Sequence, residues 1–139
     1  QKVQGGKILI AGLEWAFLIE VLGERYEIQA QNDTFVMTND FSLIDYQPQR
    51  PSIRDTGSAN RLQVAQQMIG AIKTIGQLKA MLRSHVPVQG ETSVCNHRAG
   101  GGGSETSHIV QIQGSYVGWS ALVGYPCQND YQTKQLFQG

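Results

Sequence analysis

The chain has 139 residues, a length that suits one domain with a hydrophobic core of useful size. Its 11 basic and 11 acidic residues give zero formal net charge, so it lacks the positive charge that binding to a nucleic-acid backbone requires. The longest apolar stretch, residues 13–22, is interrupted by Glu14 and Glu20 and is far shorter than the ~20 apolar residues that cross a bilayer. Two cysteines are too few for a disulfide scaffold. We therefore expect no nucleic acid and no membrane among its partners.

The first forty residues predict antiparallel strands. Strand-like runs cover residues 7–11, 14–22, 25–30 and 35–38. Gly23 and Glu24 link the second run to the third and are short enough for a tight hairpin. The fourth run is expected to end just before Asn39. We therefore expect three or four consecutive strands that place one face of their sheet on a core.

The middle of the chain predicts two helices after a proline-containing loop over residues 45–56. Apolar residues then recur at the helical spacing i, i+3, i+4, i+7: Ala65, Met68, Ile69 and Ile72. This spacing predicts a helix over residues 58–74, with Ser58 as its N-cap. A second helix is expected over residues 77–84.

The last third of the chain returns to strands. We expect them over residues 92–97, 107–113 and 116–123, whereas residues 129–137 show no clear preference. Helices gathered between two groups of strands indicate an α+β fold, with a helical layer against antiparallel sheet. At least six strands with only two helices leave one sheet face short of cover, so we expect a further segment to pack there.

Two polar residues are candidates for chemistry. A carboxamide at a strand end, such as Asn39, offers a neutral N–H donor to a developing oxyanion, although Asn also commonly caps turns there. Arg61, in the first turn of the long predicted helix, would anchor a carboxylate or remain an exposed helix charge. From the residues alone these alternatives stay open, and the sequence indicates only an α+β domain.

The cysteines and histidines allow two further interpretations. Cys95 and His97 would share one face of a strand as nucleophile and base, or they would bind zinc together with Cys127, with His85 and His108 as reserve ligands. Structural zinc sites usually use two close pairs of ligands, and Cys127 has no second candidate near it in the sequence. The pattern therefore favours structural cysteines and no metal.

Four segments, TFVMTNDF, DTGSANRL, TSVCNH and GYPC, occur in the order found in a known family. They lie at residues 34–41, 55–62, 92–97 and 124–127. The chain, over about residues 13–137, thereby resembles the N-terminal nucleophile (Ntn) amide hydrolases. The branch is that of choloylglycine hydrolases, penicillin V acylases and acyl-coenzyme A:isopenicillin N acyltransferase-like proteins. The last two segments look most like the acyltransferase-like group.

The resemblance implies a four-layer αββα sandwich and a cysteine nucleophile that self-cleavage exposes as a first residue. Because the chain opens with Gln1, the resemblance implies that residues 1–139 are the C-terminal half of the domain. It also implies a partner, the N-terminal segment of the same precursor, which carries the nucleophilic cysteine. The chain alone is then expected to be inactive.

The resemblance also assigns residues. Asn39 matches the family's oxyanion-hole asparagine, and Arg61 matches the arginine in the helix that follows, so both are candidate catalytic residues. Ser58, in the same segment as Arg61, is a weaker match and a candidate substrate-binding residue. Cys95 and Cys127 are structural in this interpretation, and neither a metal nor an organic cofactor is implied.

The implied activity is hydrolysis or acyl transfer at a linear amide C–N bond of a small-molecule substrate. A free α-amine has a pKa near ~7.7–8.0 and can act as general base for its own thiol. One alternative is a non-catalytic binding or interaction domain of the same fold, and another is a standalone α+β thiol enzyme using Cys95 and His97. Compartment and homo-oligomer formation stay open.

Overall fold

A computed structural model describes most of the chain. The described residues are 5–32, 34–39, 41–45, 53–86, 88–98, 100 and 103–137, with the backbone alone for 53–56. They form two three-stranded antiparallel sheets and two helices. Neither of these helices has the length and apolar character needed to span a membrane.

The first sheet contains β1 (Gly5–Ala11), β2 (Ala16–Leu22) and β3 (Arg25–Gln31), in that order. Each strand agrees with its predicted span to within two residues. The predicted hairpin is confirmed, since Leu22 pairs with Arg25 across a two-residue link. Gly23 in this link has a φ of 63°, a conformation that glycine adopts without steric cost.

The predicted fourth strand is wrong. Residues 35–38 adopt no strand, and residues 42–44 downstream lie against one face of the first sheet. The physical reason lies just downstream, where the side chain of Glu20 binds the backbone of residues 42–44. This long-range attachment draws the segment onto the face of the sheet rather than along its edge.

The carboxylate of Glu20 is fully buried and saturated with donors. It accepts the backbone N–H groups of Ser42 at 2.8 Å, Leu43 at 2.8 Å and Ile44 at 3.0 Å, and the Ser42 hydroxyl at 2.9 Å. Lys7, which pairs with Glu20 across β1 and β2, places its Nζ 2.9 Å from Oε1. Burial raises the pKa of Glu20, but the hydrogen bonds from Lys7 and the three N–H groups outweigh it and lower the pKa from 4.5 to about 2.

The two helices are α1 (Ile53–Ile69) and α2 (Ile75–Leu82). Helix α1 begins and ends five residues before its predicted span, so Ser58 is not an N-cap but lies inside the helix. Its hydroxyl accepts an N–H from another segment rather than one from its own helix. Helix α2 begins two residues before its predicted start, because Thr74 forms a capping box with Gln77.

The second sheet contains β4 (Thr106–Gln113), β5 (Tyr116–Val123) and β6 (Gln132–Phe137), again in chain order. The predicted strands over residues 107–113 and 116–123 are confirmed. The tail, which the sequence left unassigned, supplies β6. The tail is therefore part of the sheet rather than a separate element.

The predicted strand over residues 92–97 is wrong. These residues form turns and bends, with two isolated bridges that pair Gly90 with Asn96 and His97 with Gly103. The Ser93 hydroxyl is within hydrogen-bond distance of the carbonyl oxygens of Gly90 (3.0 Å) and Cys95 (2.6 Å). Such local bonds from side chain to backbone compete with pairing in a sheet.

Each sheet has one covered face and one exposed apolar face. The covered side chains are Leu18, Glu20 and Leu22 in the first sheet, and Ile109, Ser120 and Leu122 in the second. Side chains on the opposite faces are between 36 and 80% exposed: Ile8, Ile10, Phe17, Tyr26, Ile28, Val110, Ile112, Trp119 and Val123. The α+β class is confirmed as two antiparallel sheets with two helices between them in chain order. Within the described residues, the expected shortage of cover is found on both sheets.

Glu20→Gln is expected to destabilise the fold by about 3 kcal/mol, because Lys7 then faces an uncharged amide that has one acceptor oxygen fewer.

The lowered pKa of Glu20 in the folded protein gives a stabilisation of about 3 kcal/mol that is complete above pH 4.5 and lost as the pH falls towards 2. Urea unfolding between pH 2 and 7 measures both effects.

Glu27→Gln is the matched control, since Glu27 pairs with Glu20 across β2 and β3 but is exposed. We expect it to change the free energy of unfolding by less than about 0.5 kcal/mol. An equal loss in the free energy of unfolding in the two variants would contradict the role given to Glu20. So would a Glu20→Gln variant that loses stability between pH 4.5 and pH 2 as the wild type does.

Candidate functional site

Asn39 lies beside α1 and upstream of the residues that Glu20 binds. Its backbone N–H donates to the hydroxyl of Ser58 at 3.0 Å. Ser58 is only 1% exposed, whereas Asn39 is exposed. The bond therefore fixes the backbone at Asn39 to a buried point on a helix and leaves its carboxamide accessible.

Asn39 borders a cavity of about 470 Å³. The described residues of the lining are Gly5, Gly6, Lys7, Met37, Thr38, Asn39 and Phe41. Lys7 also lines the cavity, with its Nζ 6.0 Å from the centre of the Phe41 ring, but the carboxylate of Glu20 at 2.9 Å compensates its charge. A cavity bordered by an asparagine suits a polarised carbonyl, which accepts the N–H of a carboxamide.

Arg61 lies one turn beyond Ser58 on α1 but is not among the described residues of that lining. Its half-buried guanidinium donates to the backbone carbonyl of Glu91. The structure thus joins Asn39 to Ser58 directly and directs Arg61 towards residue 91. The catalytic roles of Asn39 and Arg61, and the substrate-binding role of Ser58, remain predictions.

A second group of reactive side chains converges elsewhere. The ligand atoms of His85, Cys95, His97 and Cys127 all lie within 4.8 Å of one another. Nε2 of His97 lies 3.2 Å from Nε2 of His85, 3.5 Å from Sγ of Cys95 and 3.2 Å from Sγ of Cys127. We call these four residues the Cys–His cluster. His108, the other reserve ligand, lies apart from it and stacks on Trp119.

The sequence names all four residues of the Cys–His cluster as candidate ligands, but its spacing disfavours a metal site. Cys127 has no candidate ligand near it in the chain, but the fold places it against His97, 30 residues away. The signal that points to a metal site is the set of cysteine and histidine residues taken together. A search for close ligand pairs in the sequence gives no weight to a ligand, such as Cys127, that a distant turn supplies.

Short backbone hydrogen bonds position the Cys–His cluster. The N–H of Cys95 donates to Ser84, which precedes His85, and the N–H of His97 donates to Gly90, each at 3.0 Å. Cys127 lies in a turn that closes when the N–H of Gln128 donates to the Tyr125 carbonyl at 3.0 Å. The Tyr125 ring stacks on His97 with a centroid distance of 3.9 Å.

Cys95 is poorly suited to act as an exposed nucleophile. Its side chain is fully buried, and burial raises the pKa of its thiol to about 11. The neighbouring Cys127 thiol raises that pKa further, while a backbone hydrogen bond from Cys127 opposes the change. A thiol that is protonated at neutral pH and out of reach of a substrate does not favour the alternative of a standalone thiol enzyme.

Comparisons with family models, with curated proteins and with solved structures found no match. The resemblance therefore rests on the four segments, which contact one another in space. Asn39 joins the first segment to the second, and His97 contacts Cys127 in the fourth. Arg61 of the second binds Glu91, the residue directly before the third.

Gly57→Ala tests how closely α1 must approach residue 91. A methyl group at Gly57 would lie 2.9 Å from the Glu91 carbonyl oxygen and 3.2 Å from Nη1 of Arg61. We expect a loss of about 1–3 kcal/mol in the free energy of unfolding, since this contact is with backbone. Urea unfolding is the measurement.

The matched control is Gly76→Ala in α2, where the methyl group meets only ordinary van der Waals contact with Thr74 at 3.8 Å. Ala is the better helix former by about 1 kcal/mol, so this variant is expected to be neutral or stabilised. A Gly57→Ala variant as stable as Gly76→Ala would show that the close approach has no structural importance.

Proposed function

We propose that the chain is the C-terminal part of an Ntn-type cysteine amide hydrolase or acyltransferase. The hydrogen bond between Asn39 and Ser58 carries the proposal. It joins the two segments that resemble the family's oxyanion asparagine and the helix that follows, and it does so at the edge of a cavity. The resemblance and this contact are independent observations that favour the same residue.

In the proposed reaction a cysteine thiolate attacks the carbonyl carbon of a linear amide, after its own α-amine has taken the thiol proton. The carbonyl oxygen becomes an oxyanion that accepts the N–H of the Asn39 carboxamide, a neutral donor. The C–N bond then breaks, the amine leaves with a proton, and water or an acceptor amine resolves the thioester.

Ser58 and Arg61 position the donor in this proposal. The Ser58 hydroxyl accepts the backbone N–H of Asn39, so it fixes the backbone position from which the Asn39 side chain extends. Arg61 holds α1 against residue 91 and thereby fixes Ser58. Both residues therefore act through Asn39.

The exposed faces support the proposed αββα sandwich and its partner, an upstream segment of the same precursor that carries the nucleophile. Residues 42–44 lie on the covered side of the first sheet, where Glu20 binds them, and α1 is attached to the chain just upstream through Asn39. On the second, Ser107 contacts Tyr131, over whose ring Lys79 of α2 lies at 5.0 Å. The exposed apolar faces of the two sheets therefore point away from the helices. Packing these two faces against each other would give the layer order α, β, β, α.

Asn39→Ala in the complete enzyme is expected to lower kcat by about 10²–10³ with little change in KM, because the donor acts mainly on the transition state. The assay is steady-state hydrolysis of N-acyl amides that release a chromogenic amine. Asn32→Ala is the control, since Asn32 is an exposed carboxamide seven residues upstream, and we expect wild-type turnover from it.

Intact mass spectrometry of the native protein tests the partner. A companion polypeptide that begins with Cys supports the proposal. A companion without Cys at that end favours the binding domain of the same fold. Unchanged turnover in Asn39→Ala would remove Asn39 from the site even if the companion is found.

A further inference from the structure

We propose that the Cys–His cluster is a structural zinc site, in which His85, Cys95, His97 and Cys127 bind one Zn²⁺ through four protein ligands. The proposal rests on the distances between these side chains and is independent of any amide chemistry.

The separations match the edges of a zinc tetrahedron. Zn–N bonds of about 2.05 Å and Zn–S bonds of about 2.3 Å place two nitrogens about 3.3 Å apart, and a nitrogen and a sulfur about 3.5 Å apart. The nitrogens of His85 and His97 are 3.2 Å apart, and the two N–S separations at His97 are 3.5 and 3.2 Å. The remaining pairs of donor atoms lie within 4.8 Å of one another, and small side-chain rotations would bring them to the tetrahedral edges of at most about 3.8 Å.

Hydrogen bonding does not account for this arrangement. Nε2 of an imidazole carries either one N–H or one lone pair, so it makes one good hydrogen bond. Nε2 of His97 instead has three polar neighbours at 3.2–3.5 Å, one on each of His85, Cys95 and Cys127. A metal ion at the centre satisfies all four donor atoms at once.

The donor set indicates zinc and a structural role. Two thiolates and two imidazoles are a common ligand set of structural Zn²⁺, and four protein ligands leave no position for a substrate. Binding releases one proton from each thiol, so the charges of the two thiolates and the ion cancel. A neutral site suits the surroundings of Cys95, which is fully buried.

The groups around the Cys–His cluster orient its ligands. Tyr125 stacks on the His97 ring, and a backbone hydrogen bond from Cys127 reaches the Cys95 side chain. Outer partners of this kind fix ligand geometry at metal sites. The ion would join the chain after α2 to the turn after β5, and its binding energy would stabilise the fold.

The first test is metal content, followed by Co²⁺ titration of the protein stripped with a chelator. We expect about one zinc per chain by elemental analysis of protein purified without chelator. Co²⁺ should give the intense visible bands of tetrahedral coordination and thiolate-to-metal charge-transfer bands in the near ultraviolet, all abolished by one equivalent of Zn²⁺. Less than about a tenth of a zinc per chain together with octahedral cobalt spectra would overturn the proposal.

Variants assign the ligands. His85→Ala should weaken Co²⁺ binding by more than the roughly 10–100-fold that loss of an outer partner costs, and Cys127→Ser should reduce the charge-transfer intensity. His108→Ala is the matched control, because His108 stacks on Trp119 outside the Cys–His cluster. Identical cobalt spectra and affinities in all three variants would overturn the assignment, and the wild-type titration decides the case if a variant fails to fold.

Discussion

A buried carboxylate organises the first half of this molecule. Glu20 on β2 is held ionised by Lys7 and by the backbone of residues 42–44, which it draws across the face of the sheet. The backbone of Asn39, just upstream, is then attached to Ser58 on α1. A single charge thereby sets the path of the segment that borders the cavity. Removing one partner of such a pair costs more than the pair contributes, because the remaining charge stays buried without compensation.

The region between α2 and the second sheet is organised differently. Turns and isolated bridges take the place of a sheet, and side chains such as Ser93 satisfy the backbone locally. Among the residues that the structure describes there, Cys95 is the one buried hydrophobic residue. A region with so few apolar contacts gains little from the hydrophobic effect, and cross-links between distant residues then matter more.

The sequence predicts the parts of the fold that follow local patterns. Alternation locates five of the six strands in the described residues, and Gly23 marks the hairpin between two of them. Residues 35–38 and 92–97 also have the composition of strands. Near the first segment the distant Glu20 binds the backbone, and in the second the Ser93 hydroxyl binds it locally. The composition of the two segments does not reveal these hydrogen bonds. The same limit explains the candidate site. The sequence supplies Asn39 and Arg61 as residue types, and the four possible metal ligands as well, but only the fold brings Cys127 to His97.

The two bare sheet faces have a consequence for how such a chain reaches its final state. In water, aromatic and branched side chains such as Phe17 and Trp119 attract any similar surface, including that of another copy. The upstream segment of the proposed function, if joined to this chain by a short linker, would meet the face at an effective concentration in the millimolar range, far above that of free chains. Synthesis as one polypeptide would therefore let closure outpace aggregation, with any cut of the linker delayed until the layers have met.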